Sequence, residues 1–108
     1  MKIRVQSIHF DADQKLLELI QKKTDKFDQF FDHITDGEIF LKLENNEEEN
    51  NKVIEIKLSI PGHTLFSKGQ AKTFEVATEP AIESMKKQLS KHKDKAKEHT
   101  SNHKAILV

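Results

Sequence analysis

The 108-residue sequence has no cysteine, tyrosine or tryptophan, and it contains only three glycines and two prolines. Without cysteine there can be no disulfide framework, thiolate catalysis or thiolate metal site. The few glycines form no phosphate-binding loop motif. Most of the seven phenylalanines follow the period of buried residues, which argues against a platform for stacking single-stranded bases. These absences exclude several common kinds of catalytic and binding site.

Long hydrophobic segments are also missing. No apolar run approaches the roughly 20 residues that a membrane-spanning helix needs. The N-terminus turns polar after Met-Lys-Ile-Arg-Val, so it lacks a signal-peptide core. We therefore expect a cytoplasmic protein with no membrane partner. At this length one domain is the simplest organisation, and we predict a single domain over residues 1–98 followed by a flexible C-terminal tail over 99–108.

The charged residues balance in number but not in position. Eighteen Lys and Arg residues offset eighteen Asp and Glu residues, which gives a formal net charge of zero. Residues 36–50 nevertheless carry six acids and one lysine, whereas residues 86–97 carry six lysines and one acid. Such separation produces an oriented electrostatic field, which is typical of proteins that bind nucleic acid.

The lysine-rich segment has the periodicity of an amphipathic helix. Ile82, Met85 and Leu89 recur on one face, where Ala96 would continue the stripe. The lysines occupy the opposite ridge and one flank of this stripe: Lys87, Lys91 and Lys95 on the ridge, and Lys86, Lys93 and Lys97 on the flank. Two hypotheses for the role of these lysines remain open. In the first they form a solvated face that only maintains solubility, and in the second they present ammonium groups to phosphates.

The rest of the chain divides into one further helix and four strands. Leu16, Ile20 and Phe27 predict an amphipathic helix over 15–31, with Asp11 and Asp13 as candidate N-caps. Alternating apolar residues predict the strands, over 2–8, 39–43, 54–60 and 64–70. Turns are expected at Asp36-Gly37 and Pro61-Gly62, and a solvated loop without chemistry of its own at 44–51.

This order of elements predicts an α+β fold. The pattern βαβββα indicates a two-layer sandwich in which both helices cover one face of a four-stranded mixed sheet. A crossover through the first helix would make the first two strands parallel, and the remaining strands would follow as an antiparallel meander. The last three strands and the last helix are similar to a double-stranded-RNA-binding domain.

Two segments resemble a known family. The run Lys87-Gln-Leu-Ser-Lys-His-Lys-Asp-Lys95 resembles the end of the short hibernation promoting factors, which are ribosome-associated inhibitors of the sigma-54 modulation, or S30EA, type. The run Lys23-Thr-Asp-Lys-Phe-Asp-Gln-Phe-Phe-Asp32 is similar to the close of that family's first helix. The resemblance extends from Met1 to about His99, and it too implies the fold of a double-stranded-RNA-binding domain.

The resemblance implies a function and a site. Members of the family bind 16S rRNA in the mRNA and tRNA channel of the small subunit and inhibit translation by occlusion, and the short form acts with other factors in forming dormant ribosome dimers. The expected partners are therefore the 30S subunit and the 70S ribosome. The matching residues are Lys23, Lys26, Lys87, Lys91, His92, Lys93 and Lys95, to which charge geometry adds Arg4 and Lys86.

We expect no catalytic residue, cofactor, small-molecule substrate or resident metal. His99 and His103 are four residues apart and could share a helical face as metal ligands, but they lie in the C-terminal segment that we expect to be frayed. Long family members carry a C-terminal dimerisation domain that is not in this sequence, so we expect the isolated protein to be monomeric. The alternative function is a protein-interaction module that modulates a transcription factor without binding ribosomes.

The start of the last helix has two possible positions. Local rules favour Pro80, because proline is well accommodated at the first helical position and disruptive in the interior. The family resemblance places the start near Thr73, with Thr73 as the N-cap and Pro80 at a bend inside the helix. We favour the earlier start.

Overall fold

The computed structural model describes residues 2–8, 10–44 and 51–107, with side chains described for 3–8, 10–44 and 51–92. The elements follow the predicted order βαβββα. Their bounds are β1 Lys2–Ser7, α1 Gln14–Phe30, β2 Asp36–Leu43, β3 Lys52–Ile60, β4 His63–Ala71 and α2 Phe74–Leu107.

The four strands form one mixed sheet in the order β1-β2-β3-β4. β1 pairs parallel to β2, with Val5 opposite Ile39. The β2–β3 and β3–β4 pairs are antiparallel, with Ile39 opposite Ile56 and Leu58 opposite Leu65. The parallel pair requires a crossover connection, which α1 supplies. The predicted α+β fold is therefore confirmed.

Both helices bury their apolar faces against the same side of the sheet. The common core contains residues from every element except β1, whose apolar side chains pack at its margin. Strand alternation directs every second residue to this core. The fully buried large side chains include Ile20, Phe27, Ile39, Leu41, Ile54, Ile56, Leu58, Met85 and Leu89.

Helix α1 forms where the apolar period predicts it. Its buried residues Leu16, Ile20, Thr24 and Phe27 lie on one stripe. Thr24 is polar, but its Oγ1 donates a hydrogen bond to the Ile20 carbonyl at 2.8 Å, so its burial leaves no unsatisfied hydroxyl. Asp13 is the N-cap residue, although its side chain makes no capping hydrogen bond.

Helix α2 begins at the earlier of the two predicted positions. Thr73 is its N-cap: the Val76 N–H donates to Thr73 Oγ1 at 3.1 Å, and the Ala77 N–H donates to the Thr73 carbonyl at 3.0 Å. Pro80 therefore lies inside the helix, on its exposed side. An interior proline costs about 3 kcal/mol, but the earlier start places Phe74 and Ala77 in the core. Burial of the large Phe74 ring offsets much of that cost, at about 1.5–3 kcal/mol.

One of the two predicted turns is wrong. Asp36 and Gly37 are the first residues of β2 and pair with both β1 and β3. Gly37 is buried, and a Cβ there would lie 2.7 Å from Leu58 Cδ2. The glycine is therefore required by close packing between strands and not by a turn. Pro61-Gly62 does form the predicted turn, with Gly62 at a φ of 80°.

The C-terminal end of α2 differs in extent from the sequence prediction. The helix continues past residue 98 to Leu107, so no break in secondary structure marks the predicted domain boundary. Flexibility of the segment 99–108 stays a prediction. The side chains of Ala96, His99 and His103 lie outside the described residues.

Candidate nucleic-acid interface

The lysines of α2 project from a helix that is fixed along one side. Ile82, Met85 and Leu89 are buried in the core, as the period predicted. Lys87 and Lys91 are exposed one helical turn apart on the outward side. Within the part of the chain whose side chains are described, no ion pair involves either of them. Two ammonium groups are thus held at a defined spacing and remain available to an external anion.

Helix α1 adds two lysines to the same layer. Lys23 is partly buried beside Thr24, and Lys26 is exposed beside Phe27. The Lys23 Nζ donates a hydrogen bond to Oε1 of Glu79 on α2, so the lysines of α1 lie next to α2. We call Lys23, Lys26, Lys86, Lys87 and Lys91 the helix-side basic surface.

An acidic residue lies within this surface. A hydrogen bond from the Lys23 ammonium and its positive charge hold the pKa of Glu79 below the ordinary value of 4.5, and the charges of Lys86 and Lys26 act in the same direction. Lys86 also lies 4.0 Å from Glu83, three residues earlier on α2. The lysines of the two helices are therefore close enough to act on one carboxylate.

His92 lies at the edge of this surface, next to the beginning of β4. Its ring lies against His63, with centroids 4.7 Å apart and a tilt of 53°. His63 is exposed and comes directly after the Pro61-Gly62 turn. His63 was not among the predicted site residues, because no local pattern connects residues 63 and 92. The β3–β4 turn is what places one histidine beside the other.

Two further predicted residues continue along α2. Lys93 and Lys95 belong to the helix by their backbone, but their side chains lie outside the described residues. Their part in the surface therefore stays a prediction.

Arg4 is separated from the other predicted residues. It alternates with Ile3 and Val5, which pack against the core, so it projects from the opposite side of the sheet. There its guanidinium donates a hydrogen bond to Glu38 Oε1 at 3.0 Å. The helix-side basic surface therefore does not include Arg4. The alternation of side chains along β1 determines on which face of the sheet Arg4 lies, and its charge does not.

The side of the sheet away from the helices, here called the open face, has its charges largely paired. Lys42 lies 2.6 Å from Glu55, and Lys68 lies 3.6 Å from Glu44. Glu44 begins the acid-rich connection between β2 and β3, and it also accepts a hydrogen bond from Gln70 at 3.1 Å. Residues 45–50 lie outside the described residues. Glu44, the one acid of this connection that the structure describes, therefore pairs with residues of the sheet.

Other kinds of site find little support in the structure. Among the described residues, no three His, Asp or Glu side chains are grouped closely enough to hold a metal ion. No helix in the described part of the chain is both long and apolar enough to cross a membrane. The described side chains of the two helices include seven lysines and six acids, so the positive charge is concentrated at Lys87 and Lys91 and is not spread over the whole helix layer.

The fold defines a small α+β domain that presents exposed lysines on its helix side. The family model described as "Sigma 54 modulation protein / S30EA ribosomal protein" matches residues 3–97. The chain belongs to this family.

Relatives and solved structures agree with this assignment. The chain is similar to the ribosome hibernation promoting factor of Pseudomonas putida, with 24% identity over 95 residues that cover 88% of this chain and 89% of the relative. It is also similar to the protein of the same name from Escherichia coli K12, with 24% identity over 99 residues that cover 92% of this chain and 100% of the relative.

Two solved structures share the fold. A ribosomal subunit interface protein from Coxiella burnetii superposes with a TM-score of 0.75 at 20% identity, covering 87% of this chain and 99% of that one. The N-terminal domain of Thermus thermophilus Protein Y gives a TM-score of 0.72 at 16% identity, covering 85% and 99%.

Proposed function

We propose that this protein is a ribosome hibernation factor that binds 16S rRNA in the mRNA and tRNA channel of the small subunit and inhibits translation by occlusion. The partners would be the 30S subunit and the 70S ribosome, in the cytoplasm. Family membership and the names of relatives that the chain matches over 89–100% of their length support ribosome association. Formation of dormant ribosome dimers and a monomeric state of the free protein belong to the same proposal.

The observation that carries the proposal is the contrast between the two sides of the molecule. Lys87 and Lys91 are exposed on α2 without an ion pair among the described side chains, whereas Arg4, Lys42 and Lys68 on the open face are paired and Lys57 is the exception there. Lysine contacts phosphates as a point charge and does not select bases. This suits A-form RNA, whose deep major groove hides the bases and whose phosphates are accessible.

The chemistry required is binding and not turnover. Occlusion of a channel needs affinity and bulk, and both are supplied by a folded domain whose cationic helix is stiffened by a buried apolar stripe. The family description names a modulation protein and a ribosomal protein, and no enzyme. If about five phosphates are neutralised, the affinity falls roughly 500-fold between about 50 and 200 mM salt.

The test compares two variants that lose equal charge. Lys87→Gln/Lys91→Gln removes two cations from α2, and Lys57→Gln/Lys68→Gln removes two from the open face. Cosedimentation with purified 30S and 70S particles across a salt series should show binding roughly tenfold weaker for the α2 variant, with a salt slope shallower by about two. The open-face variant should bind like the wild type. Equal losses in both variants, or unchanged binding by the α2 variant, would contradict the site.

A second candidate function has one observation in its favour. Phe66 is 51% exposed on the open face, and large exposed apolar side chains are common at protein–protein contacts. A protein-interaction module using this face would modulate a transcription factor without a ribosome. Its binding would depend weakly on salt and would be lost in Phe66→Ser, whereas ribosome binding through α2 would be unaffected by that change.

A further inference from the structure

Glu79 lies where α1 and α2 meet on the helix-side basic surface. Its carboxylate accepts a hydrogen bond from the Lys23 ammonium, which comes from the other helix. The Glu79 side chain is 58% exposed and the Lys23 side chain only 29%. Glu79 therefore covers the Lys23 ammonium, which is already held in position by the partly buried aliphatic part of the Lys23 side chain.

Two more lysines act on the same carboxylate by their charge, without contacting it. Lys26 follows Lys23 by three residues, so it lies one turn further along the adjoining stripe of α1. Lys86 follows Glu79 by seven residues, which returns it to the same face of α2. The low pKa of Glu79 agrees with this placement, since Lys23, Lys86 and Lys26 all contribute to it. We call Lys23, Lys26 and Lys86 the interhelical lysine cluster.

A carboxylate in this position resembles a phosphate in its chemistry. Both are oxyanions that accept hydrogen bonds from ammonium groups, and lysine imposes no planar geometry that would select one over the other. An ion pair exposed to solvent is weak. A phosphodiester oxygen brought near the cluster could therefore replace the Glu79 carboxylate without any change of backbone.

We propose that Glu79 is an internal competitor for an RNA phosphate: its carboxylate occupies the interhelical lysine cluster in the free protein, and a phosphodiester displaces it in the complex. This inference rests on the proposed function, because it assumes that the helix side meets RNA. It assigns a phosphate position to the groove between the helices, in addition to the ridge formed by Lys87 and Lys91.

The competitor has a consequence for selectivity. An RNA that presents a phosphate at the groove takes over the Lys23 contact that Glu79 gives up, beside the charges of Lys26 and Lys86. An RNA that contacts only the outer ridge leaves Glu79 in place and is repelled by its charge. Glu79 thus weakens binding to RNA in general and weakens it least for a surface with a phosphate at this position.

A purely structural role makes the opposite prediction. If Glu79 served only to tie α1 to α2, its neutralisation would loosen the lysines and weaken RNA binding. If Glu79 competes with phosphate, its neutralisation strengthens binding. The sign of the change in affinity therefore separates the two roles.

The experiment measures binding of Glu79→Gln to purified 30S subunits across a salt series, with Glu75→Gln as the matched control. Both variants lose one negative charge from the exposed side of α2, but within the described part of the chain Glu75 forms no ion pair with the cluster. We expect Glu79→Gln to bind roughly threefold to tenfold more tightly at low salt. Its salt slope should be steeper by about one, so that the gain falls roughly threefold between about 50 and 200 mM.

Three results would overturn the inference. Affinity equal to or below that of the wild type excludes competition, and an equal gain in Glu75→Gln reduces the effect to net charge. If the wild type binds neither 30S subunits nor a short A-form RNA duplex, the proposed function fails and the inference fails with it. If the wild type binds and Glu79→Gln binds with the same affinity, only the inference fails and the proposed function stands.

A measurement on the wild type makes the test independent of any variant. Titration of the Glu79 carboxyl by NMR, with and without a short A-form duplex, reports on the same displacement. A phosphate that takes over the lysines should raise the pKa of Glu79 from its lowered position. An unchanged or further lowered pKa in the complex would contradict displacement.

Discussion

Gly69 on β4 lies directly beneath the Ala77 carbonyl of α2: a Cβ at Gly69 would be 2.0 Å from that oxygen and 3.3 Å from Ala81 Cβ. The first turns of α2 therefore rest on the backbone of β4 with no intervening side chain. The neighbouring Ser67 Oγ donates a hydrogen bond to the Ala81 carbonyl at 2.9 Å, which fixes the same contact. This close approach determines where the lysine-bearing helix leaves the sheet.

Replacing Gly69 with alanine should be strongly destabilising. The atom that a methyl group would meet is a backbone oxygen, so α2 must move as a unit to accommodate it. We expect a loss of about 3 kcal/mol or more in the free energy of unfolding, at the upper end of the range for overpacking. Urea denaturation of Gly69→Ala against the wild type measures it.

Gly37→Ala is the appropriate control for that change. There the nearest atom is the end of the Leu58 side chain, at 2.7 Å, which can shift while the backbone stays in place. Its destabilisation should therefore be smaller than that of Gly69→Ala. The opposite order would mean that α2 does not rest on β4 as described.

The two helix N-termini should respond differently to loss of their capping residues. Thr73 Oγ1 accepts a hydrogen bond from the Val76 N–H at 3.1 Å, whereas the Asp13 side chain makes no capping bond. Thr73→Ala should cost about 1 kcal/mol, the usual value for a bonded N-cap. Asp13→Ala should cost less, because only its interaction with the helix dipole is lost. Thermal unfolding of both variants tests the difference, and a larger effect for Asp13→Ala would contradict it.

Much of the fold follows from local pattern. One face of α1 is marked by the apolar spacing of Leu16, Ile20 and Phe27, and one face of β3 by alternating apolar residues. These patterns therefore predicted the type and the approximate position of both elements. The beginning of β2 did not follow from the local sequence pattern. Asp36-Gly37 has turn composition, but the glycine is needed because Leu58 on a neighbouring strand leaves no room for a side chain. That requirement is tertiary, and no window of local sequence contains it.

The candidate site was predictable only along one helix. The exposure of Lys87 and Lys91 follows from the period of α2, and the buried stripe beneath them was predicted. The contact between Lys23 and Glu79 joins residues 56 positions apart, so it depends on how α1 packs against α2. Local sequence gives a residue its charge, whereas the partners of that charge are set by the fold.

Acid should remove the stabilising contribution of Glu79. A hydrogen bond from Lys23 and its charge hold the pKa of Glu79 below 4.5 in the folded protein. A lowered folded-state pKa means that the contribution to stability is complete above pH 4.5 and is lost as the pH falls through the folded value. The wild type should therefore be more stable than Glu79→Gln at neutral pH, with a small margin because the pair is exposed.

Urea titrations of the two proteins from neutral pH into the acid range measure that margin. The stability margin should shrink as the pH falls. In a Lys23→Gln background it should be smaller at every pH, because the main cause of the lowered Glu79 pKa is absent. A margin that stays constant with pH would mean that the carboxylate is not favoured by folding.

Removal of the Arg4 charge should leave ribosome binding almost unchanged. Arg4 lies on the open face and is paired with Glu38, 3.0 Å away, so it cannot approach RNA that is held by α2. We expect Arg4→Gln to change the affinity for 30S subunits by less than about twofold, and to leave the salt slope unaltered, since no phosphate contact is lost. Lys91→Gln loses the same charge from the helix side and should lower both quantities. If Arg4→Gln weakened binding as much as Lys91→Gln, the RNA would have to contact both sides of the sheet, and the one-sided surface described above would be wrong.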